Sequence, residues 1–248
     1  MNAPSTSIEA HLLSDLTREE FEQTVLRYGR GMGHEAFTAE EDPDASAPGL
    51  LPPLPRSDLP PSPQNFDWRN YGVVTPVKHQ GNCGSCWAFS ALGALESASL
   101  LAGIPVLLSE QQLLDCSKEN YACLGGLMRT AYSYIFTNGG VCASSSYPYT
   151  GDNNGTCAVC TRVARIRGFR RIANTEAALY DAIRQQPVAM GITGNSLVFQ
   201  FYKTGIIDSE SCGTNINHAV VAIGYGRKND TDYWFVLFLP SLRFNLSF

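Results

Sequence analysis

Charge is scarce in this sequence. Only 17% of its 248 residues are Asp, Glu, Lys or Arg, and the balance is acidic, with a net charge of −5. No run of basic residues interleaved with aromatics occurs, which removes the electrostatic footprint of a nucleic-acid partner. No apolar stretch approaches the roughly 20 residues of a membrane span. The most apolar candidate, Tyr233 to Leu239, is far too short, so no membrane partner is expected. Residues Met1 to Ala10 lack the charged start and apolar run of an export signal. Histidine is rare as well, with four in the chain: His11, His34, His79 and His218.

Cysteine is not scarce. An even count of eight favours disulfides and an oxidising compartment. Two Cys-x-x-Cys pairs, Cys83 with Cys86 and Cys157 with Cys160, also admit a four-cysteine zinc site. A thioredoxin-type redox pair is a further alternative, although no βαβ pattern precedes it. A disulfide-rich chain without an export signal leaves two readings, a natural N-terminus upstream of Met1 or cysteines that stay reduced, and the first is the expectation.

Residues Ile8 to Tyr28 read as a helix, with Asp15 or Thr17 as cap and Glu19, Glu20 and Glu22 in its first turn. Residues Gly29 to Pro63 are rich in proline, glycine and acidic residues and read as a linker. Ordered sequence begins near Phe66. A long helix is expected after Cys86, ended by Gly103-Ile104-Pro105. Ser109 with Gln112 forms a capping-box pattern for a second helix. A third spans Leu127 to Phe136, stopped by Asn138-Gly139-Gly140, and a fourth spans Thr175 to Gln185. Val188 to Ile192, His218 to Tyr225 and Tyr233 to Val236 read as strands. A helical half therefore precedes a β-rich half, and the space between them is where a site is expected.

Cys86 opens the long helix, where unpaired N–H groups and the helix dipole favour a thiolate. A cysteine nucleophile needs a base. His218 opens a strand of the β-rich half and can face Cys86 across the cleft. A hydrogen-bonded histidine at a strand end is the plain alternative. Gln80, six positions before Cys86, can supply an oxyanion donor alongside the Cys86 backbone N–H.

The segment Cys83-Gly84-Ser85-Cys86-Trp87 resembles the nucleophile signature of the papain-like cysteine proteases, and His218 follows Cys86 by 132 residues, within the spacing of about 130–150 usual there. The resemblance runs from Phe66-Asp-Trp-Arg through Ser109-Glu-Gln-Gln-Leu-Leu-Asp-Cys, Cys123-Leu-Gly-Gly-Leu-Met, Tyr147-Pro-Tyr and Asn217-His-Ala-Val to Tyr233-Trp. It implies an α+β fold with a helical left domain and a β-barrel-like right domain. Cys86 would be the nucleophile, His218 its base and ion-pair partner, and Gln80 the oxyanion donor. It implies the disulfides Cys83–Cys123 and Cys116–Cys157. Cys142 and Cys160 are extra to the family pattern; they flank Tyr147-Pro-Tyr and are a candidate third bridge. Gly125 and Gly126 would pair with an extended substrate. Leu127, Met128, Gly191 and Asn217 would line the pocket for the second residue before the scissile bond, as in the cathepsin L-like branch, and prefer an apolar side chain. No metal or organic cofactor is implied. Peptide or protein substrates and protein inhibitors of cysteine proteases would be the partners of a monomer that is lysosomal, vacuolar or secreted.

The resemblance also organises the ends. Residues 1–28 resemble a remnant of an inhibitory propeptide, 29–63 a linker, 64–236 the peptidase domain, and 237–248 a tail outside the family pattern. Phe238 stands where the family has the asparagine that orients the histidine, Pro240 where it has a shielding tryptophan, and Cys212 loses its family partner. A shifted reading frame or retained intron would produce such a tail. Without the closing strands the right domain would expose edges, so a catalytically impaired homologue that at most binds peptides or inhibitors is the second expectation.

Overall fold

A single helix, α1 (Cys86–Leu101), lies at the centre of the computed structural model, which describes residues 47–51, 64–152, 155–195, 197–202, 204–208, 215–237 and 243–247. The helix expected at Ile8 to Tyr28, together with Cys212, Phe238 and Pro240, lies outside the described residues. Helix α1 buries residues on every side from Cys86 to Ser97. A helix without a polar face belongs inside a molecule, and α1 has protein on both flanks.

On one flank are α2 (Glu110–Cys116) and α3 (Met128–Thr137). Leu92, Leu108, Leu113, Ala131, Ile135 and Val141 form the core there with no more than a trace of exposure. The cap of α2 follows the sequence: Ser109 Oγ accepts from the Gln112 N–H at 3.0 Å. The reciprocal arm does not form. Gln112 Oε1 instead accepts from the Cys142 N–H at 2.8 Å, and the Ser109 N–H donates to Cys142 O at 3.0 Å. Disulfides Cys83–Cys123, Cys116–Cys157 and Cys142–Cys160 close this half. They occupy three of the four sulfurs that a zinc site on the two Cys-x-x-Cys pairs would require.

On the other flank is a sheet. Its strands are β1 (Phe66–Asp67), β4 (Val188–Ile192), β5 (Ile206–Ile207), β6 (His218–Lys228), β7 (Thr231–Leu237) and β8 (Arg243–Ser247). Strands β2 (Val141–Cys142) and β3 (Arg162–Ala164) form a separate ribbon. The order is β1-β6-β7-β8-β5, with β4 pairing along the first part of β6. The barrel-like half expected from the sequence is thus an open sheet among the described residues, because β5 ends one side without bonding back to β1 or β4. The tail contributes a strand: β8 pairs antiparallel with β7 and parallel with β5. A second core of Trp68, Ile183, Ile192, Phe199, Val220, Tyr225 and Trp234 fills one face of the sheet. Helices α4 (Glu176–Ile183) and α5 (Leu197–Gln200) pack there. Trp68 Nε1 donates to Ile183 O at 2.6 Å.

The two halves meet along α1 and β6. Ser90 Oγ donates to Val220 O at 2.6 Å. One turn further, Ala94 packs with Val221 and Ile223. At Gly93 a side chain would start 3.1 Å from Val221 Cγ2, so glycine lets the strand approach.

Beside this junction is a buried charge cluster. Lys78 Nζ bonds Glu96 Oε1 and, at 2.5 Å, Glu110 Oε1. Glu96 also accepts from Thr75 Oγ1 and from the Leu108 N–H, both at 2.7 Å. Burial pulls the Lys78 ammonium down, but the Glu110 and Glu96 carboxylates outweigh it and its pKa ends above the usual value. Two carboxylates share one ammonium, and burial pushes Glu110 up from 4.5 to about 7 despite Lys78. Between these two values the folded chain holds a proton that the unfolded chain has released, so stability falls as pH rises through that window. We expect Glu110→Gln to flatten the decline in melting temperature between pH 4.5 and about 7. Thermal melts of both proteins across that range test it; parallel curves would remove Glu110 as the source.

Candidate active site

The site is built from the loop that enters α1. A set of hydrogen bonds fixes residues 80–87. Gln80 Nε2 donates to Cys83 O at 2.9 Å, and the Ser85 N–H donates to the same carbonyl at 2.8 Å. The Gly84 N–H donates to Cys123 O at 3.0 Å, beside the Cys83–Cys123 disulfide. Trp87 Nε1 donates to Ala122 O at 3.1 Å. Tyr149 closes the set: its hydroxyl donates to Gln80 O at 2.6 Å and shares a 2.8 Å hydrogen bond with Ser85 Oγ. Burial pushes the Tyr149 hydroxyl up to about 12; the Ser85 bond lowers it, and the charges of Glu110, Asp152 and Cys86 add to it. Tyr149 therefore stays a proton donor to the loop. The sequence signalled it only as the last member of Tyr147-Pro-Tyr.

Cys86 is the first residue of α1, fully buried and outside the three disulfides. The first turn of a helix leaves backbone N–H groups outside its own ladder, so this end favours negative charge. His218 is the first residue of β6, also fully buried. It pairs with Ile192 of β4, and its ring lies edge-on to Phe199 at 5.9 Å. Helix α1 and β6 run side by side in the same sense, since Ser90 meets Val220 and Ala94 meets Val221 and Ile223. Cys86 lies one turn before Ser90, and His218 two residues before Val220. Both therefore sit at the same end of the junction, and Ala219 shares the apolar cluster that contains Cys86. Burial pulls His218 down from 6.5 to about 3, so the imidazole is neutral near pH 7. The stability gained by burying it neutral is complete above pH 6.5 and is lost as pH falls towards 3.

The expected binding residues surround this end. A short 3₁₀ turn, Ala122–Leu124, leads into Gly125. At Gly126 a Cβ would lie 2.5 Å from Asn120 Oδ1 and 2.8 Å from the Trp87 ring, so only glycine fits. Asn120 Oδ1 also accepts from the Leu127 N–H at 2.8 Å, tying Leu127 to the segment that precedes the 3₁₀ turn. Leu127 and Met128 are buried in the same core cluster as Cys86. Gly191 stands opposite Ala219 across β4 and β6. Asn217 donates its N–H to Ile192 O at 3.1 Å and accepts from the Gly194 N–H at 2.8 Å. A small cleft lies elsewhere, further along α1, lined by Lys78, Phe89, Gly93, Glu110 and Leu237. It is distinct from the Cys86 end. His79 is exposed and accepts from the Gly81 N–H at 3.0 Å through Nδ1.

The family model of papain family cysteine proteases matches residues 62–237. The senescence-specific cysteine protease SAG39 of Oryza sativa subsp. indica is 46% identical over 177 residues, covering 69% of this chain and 52% of SAG39. The proform of Amb a 11, a ragweed pollen cysteine protease and allergen, superposes with a TM-score of 0.81 at 35% identity, covering 94% of this chain and 73% of that one. Bromelain from Ananas comosus, solved with the inhibitor E64, gives a TM-score of 0.69 at 39% identity, covering 75% of this chain and 90% of that one. The chain spans about half the length of the curated relatives it matches. With the match covering most of its length and the Cys86 loop, helix α1 and strand β6 all inside it, the chain belongs to the papain family of cysteine proteases.

Proposed function

We propose that the protein is a cysteine-type endopeptidase acting through Cys86 and His218. The observation that carries this reading is the shared end of α1 and β6, which bears a helix-terminal thiol and a buried imidazole. In the proposed reaction the Cys86 sulfur attacks the scissile carbonyl carbon, and His218 takes the thiol proton and passes it to the leaving amine. The developing oxyanion is received by the Cys86 backbone N–H and by Gln80. One Gln80 amide hydrogen already holds the Cys83 carbonyl, which aims the second. Water then hydrolyses the acyl-enzyme, with His218 as base. Burial of His218 works against an imidazolium, so the thiolate–imidazolium form depends on the thiolate charge and the α1 dipole to offset that cost.

Gly125 and Gly126 are proposed to pair with an extended substrate by β-augmentation. Leu127, Met128, Gly191 and Asn217 would receive the second residue before the cut, with apolar walls and room above Gly191. Peptide and protein substrates, and protein inhibitors of such enzymes, are the proposed partners. Three disulfides support a vacuolar, lysosomal or secreted setting. Among the described residues no helix is long and apolar enough to cross a membrane.

A substrate-like epoxide is expected to label Cys86 of the purified chain, and Cys86→Ala to abolish both labelling and turnover. His218→Ala should lower kcat/KM by about 10³ or more, by analogy with loss of a catalytic base. Labelling elsewhere, or turnover retained in Cys86→Ala, would refute the assignment. In a peptide panel, Leu or Phe at the second position before the cut should be hydrolysed faster than Arg or Lys, and preference for a basic residue there would overturn the pocket assignment.

A further inference from the structure

The loop that enters α1 carries both proposed oxyanion donors, the Gln80 side-chain amide at its start and the Cys86 backbone N–H at its end. One side chain from a distant part of the chain ties the two ends together. The Tyr149 hydroxyl lies 2.6 Å from Gln80 O and 2.8 Å from Ser85 Oγ. A carbonyl only accepts, so the phenol proton goes to Gln80 O and the Ser85 hydroxyl donates to the Tyr149 oxygen. Gln80 and the residue before Cys86 are therefore bonded to the same atom.

Tyr149 is itself held in place. Its ring meets Phe89 of α1 edge-on, with ring centres 4.9 Å apart. The residues that follow are fixed to α2: the Thr150 and Gly151 N–H groups donate to Gln111 Oε1 at 3.0 and 3.1 Å, and Gln111 Nε2 donates to Asp152 O at 2.9 Å. Two residues earlier, the Tyr147 hydroxyl donates to Asp115 Oδ2 at 2.7 Å. Gln111 and Asp115 are both buried residues of α2. Hydrogen bonds thus run from α2 through residues 147–152 to the loop that enters α1. With its proton given to Gln80 O, the Tyr149 hydroxyl can act on the site through Gln80 and not on the substrate.

We propose that Tyr149 is a positioning residue for the reaction: by holding Gln80 O and Ser85 Oγ on one hydroxyl, it fixes the Gln80 amide relative to the Cys86 N–H. The proposal deepens the peptidase reading and rests on it.

A double-mutant cycle on the full chain, assayed with a peptide substrate, tests it. Tyr149→Phe keeps the ring against Phe89 and removes only the hydroxyl. It should lower kcat about tenfold or more with KM within about twofold, because the oxyanion develops only in the transition state. Gln80→Ala should lower kcat about 10²-fold. In that background Tyr149→Phe should cost less than about threefold, since its target is gone. Alkylation of Cys86 by iodoacetamide, followed by mass spectrometry, needs a thiolate but no oxyanion donor. Its rate should be the same with Tyr149→Phe. Losses that multiply in the double variant, or alkylation that slows in step with kcat, would overturn the proposal.

Should Tyr149→Phe not fold, a fluorinated tyrosine at position 149 retains the hydroxyl but makes it more acidic. In the natural chain burial keeps this hydroxyl protonated beside Glu110, Asp152 and Cys86. Once ionised it cannot donate to Gln80 O, so kcat should fall on the alkaline side at lower pH than in the natural chain. An unshifted profile would overturn the proposal. An unmutated chain that neither turns over substrate nor alkylates at Cys86 overturns the peptidase reading, and this proposal with it. Turnover that is indifferent to Tyr149→Phe overturns this proposal alone.

Discussion

Ser90 and Val220 are joined by a 2.6 Å hydrogen bond inside a fully buried seam, and the placement of His218 relative to Cys86 depends on that seam. A serine hydroxyl satisfies a strand carbonyl there, and Gly93 removes the side chain that would hold α1 off β6. The cost of leaving the Val220 carbonyl unsatisfied in such a place is about 1–3 kcal/mol. Each half has its own apolar core. The seam sets their relative position. Because α1 and β6 advance in the same sense, their first residues, Cys86 and His218, arrive at one end without any contact between them being required by the local sequence.

The features legible in the sequence were those with local causes. Ser109 and Thr175 cap their helices through bonds three residues away, to Gln112 at 3.0 Å and Ala178 at 3.3 Å. Strand β4 has the bounds its apolar run suggested. Cys86 was legible because a helix start and a signature segment coincide. The features that were not legible have distant partners. Tyr149 reaches Gln80 and Ser85 across more than sixty residues. The Lys78 cluster joins three separate segments. In the linker, Pro48-Gly49 is an ordinary turn signal, but nothing local says that Leu50 will form a parallel bridge with Phe169. The tail reads as foreign to the family pattern, yet its backbone pairs on both sides as β8. An unpaired edge on β7 accepts any extended segment of suitable reach.

Two buried groups pull stability in opposite directions with pH. Glu110 favours the acid side of about 7, and neutral His218 favours the side above 6.5. The first belongs to the framework and the second to the proposed chemistry, so a framework at its most stable in mild acid would meet a histidine that resists protonation there.

If Cys86 and His218 act on one another at the shared end of α1 and β6, each must sense the other's charge. The thiolate absorbance of Cys86 as a function of pH reads this coupling directly, in a Cys212→Ser background so that one thiol outside the disulfides is observed. His218→Ala is expected to move the midpoint of that titration, because the imidazole and the thiol exchange a proton. An unchanged midpoint in a folded His218→Ala protein would contradict the pairing.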